Sequence, residues 1–302
     1  MAKGRIRVGI SGWTYAGWRG DFYPEGLVQR RELAYAAARL SSIEINGSFY
    51  SLQRPTSYAR WRDQTPDDFV FAVKGGRYIT HMLKLRGVET ALANFFASGV
   101  LGLGSKLGPV LWQLPARLPF DAERMADFYR MLPRTTGEAA ELATRHDDKV
   151  PEDRALTTID EDRPLRHALE FRSESFCTDE SFDLMAQHDI ACVVADTAQK
   201  FPMATRRTTD LVYVRLHGDT ELYTSGYSSD ALDRWAQRCH DWAEDADVVV
   251  YFDNDAKGFA PHDAMALMER VDPGWRAEHA EPEVIQAQAM TSSSSRRGSR
   301  SK

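Results

Sequence analysis

The stretch Leu211, Val212, Tyr213, Val214, Arg215, Leu216, His217 alternates residue by residue. Val212, Val214 and Leu216 share one parity; Tyr213, Arg215 and His217 share the other. A period of two belongs to an extended strand, whose side chains point to opposite faces in turn. One parity is wholly apolar and the other turns polar toward its end. Such a strand packs against other elements on one side and opens into a polar cavity on the other.

Working outward, seven further segments have strand character: residues 7–11, 42–46, 69–74, 110–114, 167–172, 190–196 and 248–253. They are rich in Val, Ile, Phe and Tyr. Between them the apolar spacing becomes helical. Leu33, Ala37 and Leu40 share a face, as do Met125, Phe128, Tyr129 and Leu132. Leu232, Trp235, Ala236, Cys239, Trp242 and Ala243 form the longest stripe, with Ser229 or Asp230 placed to cap it. Residues 88–104 predict another helix ending in a glycine cap. Strands alternating with helices must run parallel and be joined by crossovers. Eight of them, with no glycine-rich dinucleotide turn following a strand, predict an α/β fold of one closed (β/α)8 barrel.

Two regions depart from this rhythm. Residues 135–165, between the fourth and fifth strands, are long and acidic and predict an insertion outside the barrel, with a helix near 137–145. The barrel domain is assigned to residues 1–274. Residues 275–302 lose periodicity and end rich in Ser and Arg, which predicts a disordered basic tail.

The 302 residues suit one large domain, and 43% apolar content is ample for its core. The net charge of −6 gives no global pull toward nucleic acid or membrane. Cys177, Cys192 and Cys239 lack the spacing of a disulfide framework or a structural zinc site. The first residues have a basic start without an apolar signal core, and no run is long enough to span a bilayer. A cytoplasmic location is expected.

Parity locates the site. On the strand faces that alternate with the apolar ones, polar residues gather late: Glu44, Asn46, Lys74, Gln113, Glu170, Arg172, Asp196, Arg215, His217, Tyr251 and Asp253. In a barrel that face is the interior and late means the C-terminal mouth, where barrel enzymes hold their active sites. Burying so many charges without a partner costs several kcal/mol per ion, about the scale of a domain's whole stability. Structural ion pairs such as Glu170 with Arg215, or Glu44 with Lys74, are the alternative reading of any one of them. Aromatic residues crowd the loop after the first strand, and Phe49 and Tyr50 follow the second. Trp13 and Tyr50 are the best placed to stack on a ligand.

The motifs resemble a known family. Gly9-Ile-Ser-Gly-Trp-Thr-Tyr15, with Trp18, Gly20 and Phe22-Tyr-Pro24, is similar to the opening signature of the YecE-like family, a domain of unknown function. Glu44-Ile-Asn46 with Ser48-Phe-Tyr50, Lys74 with Ile79-Thr-His81, and Gln113-Leu-Pro115 follow in family order. Glu170-Phe-Arg172, Val214-Arg-Leu-His-Gly218 and Tyr251-Phe-Asp-Asn254 complete it. The resemblance spans residues from about 6 to 271 and implies a TIM-barrel-like fold; His81 and Asn254 join the site through it. The chain departs from the pattern at Ser173-Glu-Ser-Phe176 and at Asp253, which adds a carboxylate.

Three functions stay open. One is an enzyme acting on an anionic substrate, phosphorylated or sugar-like, with a phosphodiester hydrolase among the options. Lys74, Arg172 and Arg215 would hold the anion, Glu44, Glu170 or Asp253 would act as acid or base, and His217 would carry a second proton. Asn46, Gln113, Asp196, Tyr251 and Asn254 would line the substrate. Magnesium or manganese would find its ligands among Glu44, Glu170, Asp196 and Asp253. Only His217 and His81 lie near the mouth, too few for a multinuclear zinc centre. The second function is a nucleic-acid binder without catalysis, and the third is a silent structural barrel. No membrane partner is expected.

Overall fold

The computed structural model describes residues 4–275. The tail expected from residue 275 therefore lies outside the described residues except for Trp275, which is buried. Eight parallel strands form a closed barrel in sequence order: β1 (Ile6–Ser11), β2 (Ser42–Ile45), β3 (Val70–Lys74), β4 (Leu107–Gln113), β5 (His167–Glu170), β6 (Ile190–Asp196), β7 (Leu211–Leu216) and β8 (Asp247–Phe252). Strand β8 pairs back onto β1 through Val248 opposite Ile6 and Phe252 opposite Ile10, so no edge is left open.

Helices lie between most strands: α1 (Glu32–Ala37), α2 (Gly47–Tyr50), α3 (Pro55–Asp63), α4 (Glu89–Ala97), α5 (Ala122–Met131), α6 (Thr136–Ala143), α7 (Asp179–Gln187), α8 (Ser229–Trp242) and α9 (Phe259–Val271). Their apolar stripes and the outward strand parity make one continuous core. Val212, Val214 and Leu216 lie in it with Leu232, Trp235 and Cys239 of α8. A second, smaller cluster fills the barrel itself: Ala72, Leu111, Ala168, Ala191, Val193, Ala195, Leu211, Tyr213, Val249 and Tyr251. The four alanines leave room for the two tyrosines. Gly9 serves the same closeness, since a Cβ there would come within 1.9 Å of the Ser42 carbonyl oxygen.

Three local expectations are corrected. Residues 88–104 form two helices: α4 ends at Ala97, and a 3-10 helix runs over Val100–Lys106. Gly99 breaks them apart with φ 112°, a left-handed conformation that suits glycine, and a Cβ there would strike Pro55 at 2.5 Å. The cap of α8 is Ser228, whose hydroxyl accepts from the Ala231 amide at 3.2 Å, not Ser229 or Asp230. The crossover from β6 to β7, residues 197–210, contains no helix. The segment 135–165 holds α6, which lies against α4, and it is closed by an antiparallel bridge between Thr135 and Pro164.

Candidate functional site

Arg215 sits at the centre of the barrel's C-terminal half with no exposed surface. Strand β7 carries it on the inward parity, and every guanidinium nitrogen is engaged. Nε and Nη2 donate to Glu44 Oε2 and Oε1 at 3.0 and 2.9 Å. Nη1 donates to Glu170 Oε2 at 2.7 Å, and Nη2 also donates to Asp253 Oδ2 at 2.8 Å. Glu44 is saturated as well. Ser11 Oγ donates to its Oε1 at 3.0 Å and the Tyr213 hydroxyl to its Oε2 at 2.7 Å. Glu170 Oε1 accepts from Gln113 Nε2 at 2.8 Å and Arg172 Nε at 3.2 Å. A buried ionic network survives when each member is satisfied in this way.

This saturation decides which groups can meet a ligand. Arg215 has no donor left and no access, so it is not free for the anion-holding role expected of it. Glu44, fully enclosed, has no lone pair left to offer. Burial alone would raise the Glu170 carboxyl, but the charge of Arg215 above all, with His217, Arg172 and Lys74 beside it, outweighs that and holds it well below the usual carboxylate range.

His217 lies above Arg215 with no exposed surface. Arg215 Nη1 stands 3.4 Å from its Nε2. A guanidinium can only donate, so Nε2 accepts and the ring proton sits on Nδ1. That nitrogen is 3.1 Å from Asp253 Oδ2, without the alignment of a hydrogen bond. Asp253 is the accessible member of the group, its side chain 15% exposed. Burial pushes it up, but Arg215, His217 and Lys74 pull it down further, so it stays a carboxylate. Its Oδ1 has no hydrogen-bond partner among the described residues. Asp255 follows on the same side; burial and the charge of Asp253 raise its carboxyl.

Across the mouth stand cations. Lys74 ends β3 on the inward parity, 8% exposed, with Nζ 4.6 Å above the Phe49 ring. Arg172 lies two residues beyond β5. Glu170 holds its Nε, the Tyr223 hydroxyl accepts from its Nη2 at 3.1 Å, and Phe201 lies beneath it at 4.8 Å. Its Nη1 is uncommitted among the described residues. Both supports come from turns with left-handed backbone: Tyr223 at φ 64°, and Ala198 and Gln199 at 50° and 64° just before Phe201. Such strain persists where surrounding structure enforces it. His81 is edge-on to Phe49 at 5.2 Å, and its Nδ1 lies 2.9 Å from Thr80 Oγ1. Burial lowers its imidazole, and the neighbouring charges of Lys74, Arg172 and Arg77 lower it further.

The structure thus brings together Glu44, Lys74, Gln113, Glu170, Arg172, Arg215, His217 and Asp253, with His81 at the rim. It places the others elsewhere. Asp196 falls on the outward parity, opposite to Val193 and Ala195, and accepts from the Tyr227 hydroxyl at 3.1 Å. Asn254 also faces away, donating to Ser225 O and Asp263 Oδ2 and so tying the β8–α9 loop to α9. Tyr251 lies below Glu44 in the barrel filling, hydroxyl to hydroxyl with Ser42 at 2.7 Å. Trp13 packs edge-on against Trp61 at 5.2 Å. Asn46 precedes α2 with Oδ1 buried and unpartnered, and Tyr50 is 71% exposed.

Ser11, Tyr213, Phe201, Tyr223 and Asp255 were missed. Ser11 and Tyr213 share the inward parity with chosen residues and could have been found. Tyr223, Phe201 and Asp255 come from loops, where no periodicity points at anything.

Glu44, Glu170 and Asp253 converge on a guanidinium instead of on an open point, and Asp196 is on another face. Among the described residues no group of three or more His, Cys, Asp or Glu side chains is arranged to hold a metal ion. The residues present therefore do not fit the magnesium or manganese site that the sequence left open.

A closed β/α barrel with an ion-paired floor and a partly open polar mouth is the class of molecule these features define. The family model described as a protein of unknown function, DUF72, matches residues 7–286, and the chain belongs to that family. It is 28% identical over 133 residues to the UPF0759 protein YecE of Escherichia coli K12, a match spanning 45% of that relative. To the UPF0759 protein YunF of Bacillus subtilis it is 21% identical over 297 residues, 88% of this chain and 95% of the relative. A crystal structure of a DUF72 family protein from Thermotoga maritima superposes with a TM-score of 0.70 at 23% identity, covering 89% of this chain and 99% of that one. One from Enterococcus faecalis gives 0.68 at 17% identity, covering 88% and 95%. At these identities the likeness establishes the fold. Among the described residues no helix is long and apolar enough to cross a membrane.

Proposed function

We propose that this barrel is an enzyme acting on a small anionic substrate, phosphorylated or sugar-like, at its C-terminal mouth. The observation behind the reading is the separation of open charge. Arg172, with Nη1 uncommitted, stands with Lys74 and His81 on the β3–β5 side. Asp253, with Oδ1 uncommitted, stands with Asp255 on the β8 side. An anionic group would be held at Arg172, whose planar fork suits phosphate or carboxylate. The body of the substrate would then lie toward Asp253.

Asp253 is the group we assign to the reaction, as proton acceptor or nucleophile. His217 and Arg215 hold it in place and ionised. Glu44, Glu170, Gln113, Ser11 and Tyr213 keep Arg215 where it is. Hydrolysis of a phosphodiester, with Asp253 taking a proton from water, is one reaction of this form. A panel of sugar phosphates and phosphodiesters, assayed for product release, tests the proposal. Asp253→Asn is expected to cut turnover by about 10²–10⁴-fold while leaving anion binding in place. Turnover equal to wild type in that variant would contradict it.

A second reading, a nucleic-acid binder without catalysis, draws on Tyr50, whose ring is 71% exposed beside Phe49 and the cations. It predicts retarded mobility of single-stranded DNA or RNA at low salt that vanishes as salt rises. No retardation at low salt removes it.

A further inference from the structure

Among the described residues two lysines are buried, and they are treated oppositely. Lys106, 6% exposed, gives its ammonium group three oxygens: Arg62 O and Thr65 O at 2.7 Å and Thr65 Oγ1 at 3.3 Å. That lysine is structural and closes the end of α3. Lys74, 8% exposed, has no hydrogen bond and no carboxylate within ion-pair distance of Nζ among the described residues. Its contact is the face of Phe49. Nζ is not among the enclosed unpartnered atoms, so its tip reaches the opening of the bowl.

A charged ammonium left in such a place is partly desolvated and finds no protein acceptor for its three donors. The largest charge effect on it comes from a cation, Arg215, which the three carboxylates already claim. Burial and that guanidinium both weaken the Lys74 ammonium, with Glu44, Asp253 and Glu170 opposing. Desolvation beside another cation is how a lysine becomes a nucleophile near neutral pH.

We propose that Lys74 is an imine-forming lysine, and that the substrate of this mouth carries an aldehyde or ketone carbonyl. The Nζ lone pair adds to the carbonyl carbon, and one Nζ proton passes to the carbonyl oxygen, which becomes the hydroxyl of a carbinolamine; the second Nζ proton departs with that hydroxyl. That hydroxyl leaves as water, and a C=N bond to Nζ takes its place. One amine and one carbonyl give one imine and one water, and nothing is oxidised or reduced. This goes beyond the anionic-substrate reading, which requires the positive charge of Arg172 and leaves Lys74 free to react.

Two carbonyl probes test it on the full chain. Acetylacetone, which is uncharged, condenses with a neutral amine to an ultraviolet-absorbing enaminone. Pyridoxal 5′-phosphate, which is anionic, is fixed as a secondary amine by borohydride. Peptide mass mapping then compares Lys74 with the exposed Lys84 and Lys200 of the same molecule. A weakened ammonium holds a larger neutral, reactive fraction, so at slightly acid pH Lys74 is expected to be labelled about tenfold faster than either. Lys74→Arg is expected to abolish the enaminone band. Modification confined to Lys84, Lys200 and other exposed lysines, with Lys74 unlabelled in folded protein, overturns the proposal. If acetylacetone labels Lys74 but inorganic phosphate neither protects it nor binds, the imine stands and the anionic reading fails. If phosphate binds through Arg172 while Lys74 stays unlabelled, the imine fails alone.

Discussion

Arg215 is the residue on which the site turns, because it neutralises three carboxylates in a place water does not reach. Removing it leaves Glu44, Glu170 and Asp253 facing one another without compensation. Arg215→Met is expected to cost about 3–5 kcal/mol in denaturant unfolding. A loss below about 1 kcal/mol would show that the network is looser than its distances. Acid has a related effect. Glu170 and Asp253 are held below their unfolded values, so the stability they give is present above the ordinary carboxylate range and is lost as pH falls through it. At this scale the sequence was informative wherever strand parity applied: Glu44, Lys74, Glu170, Arg172, Arg215 and His217 all follow it inward. Asp196 was chosen for its place at the end of β6 although it shares the outward parity of Cys192 and Val194, and the sequence gave no warning that Arg215 would be spent on its neighbours. Pairing depends on side chains from β1, β2, β5, β7 and the β8 end meeting in space, which no local pattern encodes.

At the scale of the element, boundaries were legible to within a few residues and their causes lie in single side chains. The β5 strand is pinned through His167, which faces outward and is wholly buried. Trp112 Nε1 donates to its Nδ1 at 3.2 Å, so Nε2 carries the proton and donates to Pro133 O at 2.7 Å. Burial brings its pKa down to about 4. A folded value below the unfolded value near 6.5 means that stability is complete above pH 6.5 and drains as pH falls toward 4, by about 3 kcal/mol. His81 and His188 are lowered too and add to the same slope. His167→Gln is expected to lower stability at neutral pH and flatten the loss between pH 6.5 and 4, read from denaturation midpoints across that range. An unchanged slope would assign the effect elsewhere. Ser228→Ala should cost about 1 kcal/mol through the lost cap of α8. The cap itself was off by one residue because Ser228, Ser229 and Asp230 are all competent, and the chain's entry angle chooses among them. The apparent helix over 88–104 was likewise broken by a contact with Pro55, forty-four positions away from Gly99 in sequence.

At the scale of the whole molecule, the count of eight strands and the absence of a dinucleotide turn were enough to predict closure, and β8 does pair with β1. Closure is what gathers charges from five strands into one bowl. It also divides the bowl's open groups, with Lys74, His81 and Arg172 on one side and Asp253 and Asp255 on the other. That division was invisible in the sequence, since it depends on which groups the network consumes. The loops that steady Arg172 were equally hidden, because Phe201 and Tyr223 obey no period. The central claim is that the mouth is an anion site built on Arg172. Calorimetric titration of inorganic phosphate into wild type and Arg172→Gln tests it most directly. The account predicts saturable binding at one site per chain, weakened at least about tenfold in the variant, as loss of one charge-assisted hydrogen bond requires. Equal affinity in the two proteins, or no binding to folded wild type, would contradict it.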